Sequence, residues 1–293
     1  LCKQFNHGST QKLGGWGAKN YESHKIYLWW AMPTLQLINR KKMFFSVVIP
    51  TYNRKPILEK CIHALENQVI PDRQLITDYE IIIVDDGSTD DTIAWLKQES
   101  FPHVRYFQQN HQGPATARNL GVENAKGEII VFIDSDLVVT ENFLQAHANC
   151  LHHSSDRAFT YGRVINTSNF ENPTSEPYKL TDFSAAYFAT GNVAIHRQWL
   201  EKAGLFDSQF QLYGWEDLEL GVRLKKLGLK LIKCPHAVGY HWHPPFNLDQ
   251  LPSLIEKEIE RGKMGVVFYQ KHPTLEVRMM IQMTIVHRLL WGI

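Results

Sequence analysis

The acidic tripeptide Asp134-Ser135-Asp136 is the first feature of this sequence that could do chemistry. It directly follows the apolar run Ile129–Ile133, so its carboxylates should leave the edge of a rigid strand. Two carboxylates in that position can hold Mg²⁺ or Mn²⁺ against a diphosphate, and the cation stabilises the charge that develops as a nucleoside diphosphate departs. An isolated Asp-x-Asp is more often part of a solvated loop. The position of Asp134-Ser135-Asp136 directly after a strand favours a metal site instead.

A second acidic pair, Glu216-Asp217, opens an amphipathic segment that predicts a helix. Acidic residues in a first helical turn often serve only as partners of the helix dipole. In a sugar-transfer site, however, a carboxylate is needed to take the proton from the attacking hydroxyl. Once the metal motif is accepted, we favour this catalytic interpretation of the pair.

The segment Tyr240-His241-Trp242-His243 places two histidines at alternate positions. In an extended segment they point the same way. Such a pair is more often structural than metal-binding, but imidazole suits Mn²⁺ alongside carboxylates. We therefore predict that either His241 or His243 is a third metal ligand. The sequence does not decide between the two histidines.

Two more polar segments follow predicted strands. Asp85-Asp86-Gly87-Ser88 comes after Ile81–Val84, and Pro50-Thr51-Tyr52-Asn53 comes after Phe44–Ile49. A carboxylate of the first segment could accept hydrogen bonds from a base or a ribose. The same residue types are common in any strand-to-helix turn, where one of the aspartates would be only a cap.

These segments need a scaffold in which strands and helices alternate, because the polar strand ends must meet. Such alternation predicts an α/β fold with a mainly parallel sheet and helices on both faces. Ligands bind beyond the carboxyl ends of such strands, so the polar ends should converge on one crevice. The predicted strands are Phe44–Ile49, Ile81–Val84, Val104–Gln108 and Ile129–Ile133, and the helices between them contain 57–65, Trp95-Leu96 and Ala115–Ala125. Later come a loop-rich stretch at 166–177, the segment Gly191–Ile195, helices near Trp199 and through Leu227, and a strand near Leu231.

The composition excludes some partners. Lys and Arg number 31 against 30 Asp and Glu, so no overall field favours nucleic acid or another polyanion. The four cysteines form no CxxC pair, which argues against a zinc knuckle and favours a reducing compartment. No apolar run reaches the ~20 residues of a membrane span. We therefore expect a soluble or peripherally attached cytoplasmic protein.

The chain divides into three predicted parts. Residues 1–42 form an extension without sustained periodicity, and we hypothesise that translation begins at Met43. Residues 43–250 form the α/β domain. Residues 251–293 form a helical tail that covers it. Basic Arg278 and Arg288 interleave with apolar positions there, so attachment to a membrane surface is the alternative.

Together, the motifs resemble glycosyltransferase family 2 with its GT-A fold, a nucleotide-sugar-binding fold. The resemblance runs from about Phe44 to Pro245. It rests on segments in the family's order: 46–54, 83–88, Gly113 with 117–119, 127–128 and 134–136. The second half resembles bacterial chondroitin-polymerase and galactosaminyltransferase-like modules through 191–192, 206–207, 215–219 and 240–245.

The resemblance implies a role for each site residue. Pro50, Thr51, Tyr52 and Asp86 would bind the nucleoside, Arg118 with Asn119 would brace the donor, and Asp134 would lie near the ribose or the metal. Asp136 would hold Mn²⁺ or Mg²⁺ and His241 would complete its shell, with His243 as the rival ligand. Asp217 would be the general base, helped by Glu216. The resemblance further implies inversion at the anomeric carbon, a UDP-sugar donor and a saccharide or lipid-linked acceptor.

Two rival functions use the same fold elements. A catalytically inactive nucleotide-sugar-binding scaffold would keep the sheet, but the presence of Asp136, Asp217 and His241 argues against it. A nucleotidyltransferase would carry a glycine-rich, basic phosphate-binding loop after its first strand, where this chain has Pro50-Thr51-Tyr52-Asn53. A dehydrogenase is excluded because no GxGxxG follows that strand.

Overall fold

The computed structural model describes residues 42–292, so the predicted extension 1–42 and its suggested start site lie outside the described residues, apart from Lys42. Within 42–292, eight strands form one sheet. The strands are β1 Met43–Thr51, β2 Ile76–Asp85, β3 Val104–Gln108, β4 Ile129–Ile133, β5 Leu137–Val139, β6 Ala158–Thr167, β7 Asn192–His196 and β8 Lys230–Trp242. The α-helices in the same range are α1 Lys55–Glu66, α2 Thr92–Gln98, α3 Pro114–Glu123, α4 Phe143–His152, α5 Arg197–Ala203, α6 Glu216–Lys226, α7 Leu251–Lys271, α8 Leu275–Met280 and α9 Ile285–Trp291.

The central strands are apolar on both sides because helices cover both faces of the sheet. In β1, Phe45, Val47 and Ile49 point into a core shared with α1, α2 and α4. Val48 points the other way, into a core shared with α3, α5 and α6. All four side chains are fully buried. The central strands are therefore continuous apolar runs in the sequence because helices bury both faces of the sheet.

The strand order is β3-β2-β1-β4-β7-β6-β8-β5. The first four strands are parallel, as predicted. The other half is mixed: β7 is antiparallel to both β4 and β6, and β5 is antiparallel to β8, while β6 and β8 are parallel. Only residues 134–136 separate β4 from β5, yet β5 lies at the far edge. The sheet must therefore curl, which brings β8 towards the end of β4.

The length of β8 is the main feature that the sequence did not predict. A strand was predicted only near Leu231, and β8 continues to Trp242. Its pairing with β6 jumps from Cys234 to Val238, so Pro235 lies in a bulge, where a missing backbone N–H is tolerated. Because Pro235 interrupts the strand pattern in the sequence, the part of β8 that contains His241 was not predicted.

A disulfide joins Cys150 of α4 to Cys234 of β8, with Cα atoms 6.1 Å apart. The two residues are 84 positions apart, so spacing alone could not reveal the pair. Disulfides persist mainly in oxidising compartments. The expected reducing compartment stays a prediction, and this pair does not support it.

The C-terminal helices are attached to α6. Met264 and Phe268 of α7 and Val277 of α8 form a small core with Phe210 and Val222. Residues of α7 and α8 therefore pack against the domain at this point. The first turns of α7 and much of α9 leave apolar side chains exposed. None of the helices in 42–292 combines the length and the apolarity needed to cross a membrane.

His147 of α4 is fully buried against the middle of the sheet. Its Nδ1 lies 2.8 Å from Thr160 Oγ1, and its Nε2 lies 2.9 Å from Asn192 Oδ1. The Asn192 amide donates to the Arg163 and Ala237 carbonyls, so its oxygen accepts from the imidazole. Burial lowers the pKa of His147 to about 4, and the ring is neutral in the folded protein.

This histidine makes stability depend on pH. Between its unfolded pKa of 6.5 and its folded pKa of about 4, the unfolded chain binds a proton that the folded chain does not, so acidification destabilises the fold. We predict that, between about pH 7.5 and pH 5, the wild type loses about 2 kcal/mol more unfolding free energy than His147→Gln does. Urea denaturation at both pH values measures this difference. Equal losses would contradict it.

Candidate active site

The turn between β4 and β5 carries Asp134 and the predicted metal ligand Asp136. β4 is fully buried, and the chain leaves the sheet at Asp134 and returns at Leu137. Leu137 pairs with His241 of β8, and Trp242 N donates to the Asp136 carbonyl over 2.9 Å. This register places His241 Nε2 2.9 Å from Asp136 Oδ1. The long-range pairing of β5 with β8 therefore joins residues more than a hundred positions apart.

Asp134, Asp136 and His241 can together hold a cation. Each offers one ligand atom, and these atoms lie within 4.8 Å of one another. Two carboxylate oxygens and an imidazole nitrogen suit Mn²⁺, and the carboxylates also suit Mg²⁺. The His243 ring lies 4.2 Å from the His241 ring, but its Nε2 is 3.1 Å from Asn166 Oδ1. Within the described chain, this geometry groups His241 with the aspartates.

Asp136 is held as a charged carboxylate. Burial alone would raise its pKa, but the hydrogen bond with His241 and the nearby positive charges lower it overall. Burial likewise opposes the charge on His241, and Asp136 outweighs it, so the pKa of His241 is raised. A guanidinium nitrogen of Arg54 contacts the other oxygen of Asp136. Arg54 belongs to the family motif, but the sequence did not predict a role for it.

Arg118 connects the two acidic clusters. Its Nη2 donates to Asp134 Oδ1 over 3.0 Å, and its Nη1 donates to Glu216 Oε1 over 2.9 Å. The side chain is only 5% exposed. Burial would lower the pKa of this guanidinium, but the charges of Glu216, Asp134 and Asp217 raise it overall, so Arg118 stays charged. A buried cation between carboxylates is stable only while these partners remain in place.

Asp217, in the second acidic pair, has a raised pKa. Helix α6 begins at Glu216, after Trp215 in the left-handed conformation (φ 75°). Burial, reinforced by the negative charge of Glu216, raises the pKa of Asp217 to about 7, although Arg118 and the Leu218 amide oppose the shift. A carboxyl group with a pKa near neutrality is well matched to proton transfer.

The ends of β1 and β2 form the other side of the crevice. Thr51 is buried, Pro50 is partly buried, and Tyr52 is 42% exposed. The Tyr52 ring lies 4.3 Å from that of His111. The Thr51 carbonyl accepts from Asp86 N over 2.9 Å, which ties the two strand ends together. An exposed ring at this position can stack on a planar base.

Asp86 organises a loop in the structure. Its carboxylate accepts from Gln112 N and Gly113 N, over 2.8 and 2.9 Å, and from Gln109 Nε2 over 2.6 Å. Gly113 has φ +89°, and a Cβ there would lie 2.5 Å from the Gln211 carbonyl, so only glycine fits. The predicted nucleoside contact of Asp86 stays a prediction. Asp85 accepts from Ser88 N over 3.2 Å and so closes the turn after β2, but the next helix begins only at Thr92, so Asp85 is not its cap.

Comparisons with known proteins are consistent with this site. A family model described as Glycosyl transferase family 2 matches residues 46–204, and one described as the N-terminal domain of galactosyltransferase matches 174–245. The chondroitin synthase of Escherichia coli is 29% identical over 243 residues, which cover 68% of this chain and 35% of that protein. The chain thus spans about a third of that relative's length.

Solved glycosyltransferases share the fold. The mannosyltransferase PcManGT of Pyrobaculum calidifontis, solved with GDP-Man and Mn²⁺, aligns with a TM-score of 0.59 at 18% identity, covering 92% of this chain and 79% of that one. S. aureus TarS 1-349 with UDP-GlcNAc aligns with a TM-score of 0.55 at 19% identity, covering 76% and 66%. The predicted GT-A fold is therefore confirmed.

The pKa of Asp217 can be measured directly. In the metal-free protein, ¹³C NMR of carboxyl-labelled aspartate should show one side chain titrating near pH 7, and Asp217→Asn should lack that signal. In Glu216→Gln the same signal should move to lower pH, because a neighbouring negative charge is lost. A protein in which no aspartate titrates above about pH 5 would contradict this description.

Proposed function

The chain belongs to glycosyl transferase family 2, and on that premise we propose that it transfers a sugar from a UDP-linked donor to an acceptor hydroxyl with inversion at the anomeric carbon. It is a glycosyltransferase with a GT-A fold. The observation that carries the proposal is the Arg118 bridge, which joins the acidic turn after β4 to the acidic start of α6. A donor-binding cluster and a candidate base are thereby held in one crevice.

Asp134, Asp136 and His241 would hold Mn²⁺ or Mg²⁺. When bound, such a cation supplies positive charge for the diphosphate leaving group. The chain itself binds and orients the donor: Tyr52 would stack on the base, and Thr51 with Pro50 and Asp86 would shape the nucleoside pocket. Arg118 fixes the position of the Asp134 carboxylate through their 3.0 Å hydrogen bond.

Asp217 would then act on the acceptor. Its carboxylate accepts the proton of the acceptor hydroxyl while that oxygen bonds to the anomeric carbon. The bond from the anomeric carbon to the diphosphate oxygen breaks on the opposite face. An α-linked UDP-sugar would therefore give a β-linked product. Glu216 is engaged by Arg118, which leaves Asp217 as the carboxylate for proton transfer.

The relatives guide the choice of substrates. The matched proteins include a chondroitin synthase and a hyaluronan synthase, so we propose a saccharide or lipid-linked acceptor in polysaccharide or glycoconjugate synthesis. The nucleotidyltransferase alternative is not supported by the family match. Measured turnover of the donor distinguishes an active enzyme from the inactive-scaffold alternative.

Two variants test the proposal, one through donor binding and the other through turnover. Asp136→Ala should abolish the Mn²⁺-dependent part of UDP binding, measured by calorimetry, because a carboxylate ligand is lost. Asp217→Asn should keep that binding but lower turnover of the donor ~10²-fold or more. Turnover is followed as UDP release from the UDP-sugar that most stabilises the protein in a thermal-shift screen of UDP, GDP, TDP and CMP sugars.

A matched pair of histidine variants identifies the third ligand. His241→Ala should weaken Mn²⁺-dependent UDP binding, and His243→Ala should retain it.

Unchanged UDP binding in Asp136→Ala would contradict the role of Asp136 as a metal ligand, and near-normal turnover in Asp217→Asn would contradict the role of Asp217 as the base. A wild type that binds a UDP-sugar without any turnover would favour the inactive scaffold.

We also propose peripheral attachment at the inner face of a membrane through the C-terminal tail. On α7, Leu254, Ile255 and Ile259 are 41–53% exposed, and on α9, Leu289 and Leu290 are 78% and 76% exposed. Arg278 precedes α9 in the sequence, and His287 and Arg288 lie within it. An apolar helical face with neighbouring positive charge favours an anionic lipid surface.

Flotation with anionic vesicles tests this attachment. The wild type should float with vesicles rich in phosphatidylglycerol, and the double variant Leu289→Glu/Leu290→Glu should bind at least about tenfold less, because two apolar side chains are replaced by charged ones. The paired change of exposed Lys97 and Lys202 to glutamine removes charge elsewhere and serves as the control. A wild type that stays in the dense fraction would contradict the proposal.

A further inference from the structure

Arg54 projects into the crevice from a rigid turn. It stands between the last residue of β1 and the first residue of α1, next to Asn53 in the left-handed conformation (φ 52°). The Asn53 side-chain oxygen accepts from the backbone N–H groups of Thr89 and Asp90, over 2.7 and 3.2 Å. Asn53 N donates to Ser88 Oγ over 2.8 Å. The base of the Arg54 side chain is thus held firmly at the edge of the crevice.

The guanidinium of Arg54 lies on the carboxylate that is proposed to bind the metal. It contacts Asp136 Oδ2, while His241 Nε2 lies 2.9 Å from Oδ1. Both oxygens of Asp136 therefore face positively charged or proton-donating groups. The Asp136 side chain is 8% exposed and that of Arg54 is 39% exposed, so Arg54 approaches from the solvent side.

Arg54 differs in this respect from the other arginine of the crevice. Arg118 is buried and donates to two carboxylates, so its departure would leave both without a partner. Among the described residues, the hydrogen-bond partner of the Arg54 guanidinium is Asp136 alone. A long, partly exposed side chain with one ionic partner can change position more readily than a buried one with two.

We infer that Arg54 holds the Asp136 carboxylate, leaves it when a divalent cation binds, and then contacts the diphosphate of the donor. The inference rests on the proposed function and adds a residue to it. A metal ion bound to Asp136 would bring a second positive charge close to the Arg54 guanidinium, and like charges at short separation repel. The diphosphate brings new negative charge to the same place, and guanidinium binds phosphate oxygens with two parallel hydrogen bonds.

This exchange predicts two effects of opposite sign when the guanidinium is removed. Arg54→Gln should bind Mn²⁺ about threefold or more tightly in the absence of nucleotide, because a competing cation is gone. The same variant should bind UDP about tenfold more weakly at saturating Mn²⁺, because a charge-assisted contact to phosphate is lost. Its affinity for uridine, which has no phosphate, should stay within about twofold.

Calorimetry of the full chain with Mn²⁺ alone, then with UDP or uridine at saturating Mn²⁺, measures all three affinities. Lys55→Gln is the matched control, since it removes one positive charge at the neighbouring position, and Lys55 lies 4.0 Å from Asp91 instead of contacting Asp136. It should leave each affinity within about twofold. Arg54→Lys keeps the charge without the planar fork, so it should bind Mn²⁺ like the wild type and UDP more weakly. Circular dichroism verifies that each variant is folded.

The outcomes separate this inference from the function on which it rests. Weaker Mn²⁺ binding in Arg54→Gln would show that Arg54 orders Asp136 instead of competing for it, and would overturn the inference. Tighter Mn²⁺ binding with unchanged UDP affinity would overturn the diphosphate contact, as would equal losses for UDP and uridine. A wild type that binds UDP independently of Mn²⁺ would overturn the metal site itself, and the Arg54 exchange with it.

Discussion

The buried guanidinium of Arg118 connects the two halves of the crevice, one on the sheet and one on α6. Its hydrogen bonds to Asp134 and Glu216 are 3.0 and 2.9 Å long, and removing the guanidinium would leave both carboxylates without this partner. With Asp136 and Asp217, the crevice holds four carboxylates against two guanidinium groups. Burial and this excess of negative charge both keep the pKa of Asp217 high, and the excess favours a divalent cation at the sheet edge.

The curl of the sheet makes that arrangement possible. β5 follows β4 after three residues but pairs with β8 at the far edge, so the end of β8 returns to the acidic turn. The bulge at Pro235 lets β8 pass from one segment of β6 to the next. Below it, the Asn192 amide bonds to the Ala237 carbonyl and to the buried His147, which supports the bulge from the core. The position of the candidate metal ligand His241 therefore depends on packing some distance from the crevice.

Local sequence predicted the parallel half of the fold well, because β1, β2 and β4 contain apolar runs buried on both faces of the sheet. Val104–Gln108 and Ile129–Ile133 coincide with β3 and β4, and the polar strand ends do converge. The mixed half was less predictable, since β5 has three residues and β8 contains a proline. Arg118 pairs with Glu216, which is 98 positions away, so no local sequence pattern could predict this ion pair. The role of Asp86 in anchoring the loop at 109–113 also required the structure, because Asp-Gly-Ser suits either a turn or a ligand contact.

We propose that the turn after β4 and the end of β8 form one site for the metal and the donor. Anomalous diffraction at the manganese edge, from crystals grown with Mn²⁺ and UDP, tests this most directly. We expect one strong peak next to the diphosphate of UDP, within ligand distance of His241 Nε2 and of at least one of the two carboxylates, Asp134 or Asp136. Ordered UDP without a peak there, or a peak bound by His243 and not His241, would contradict it.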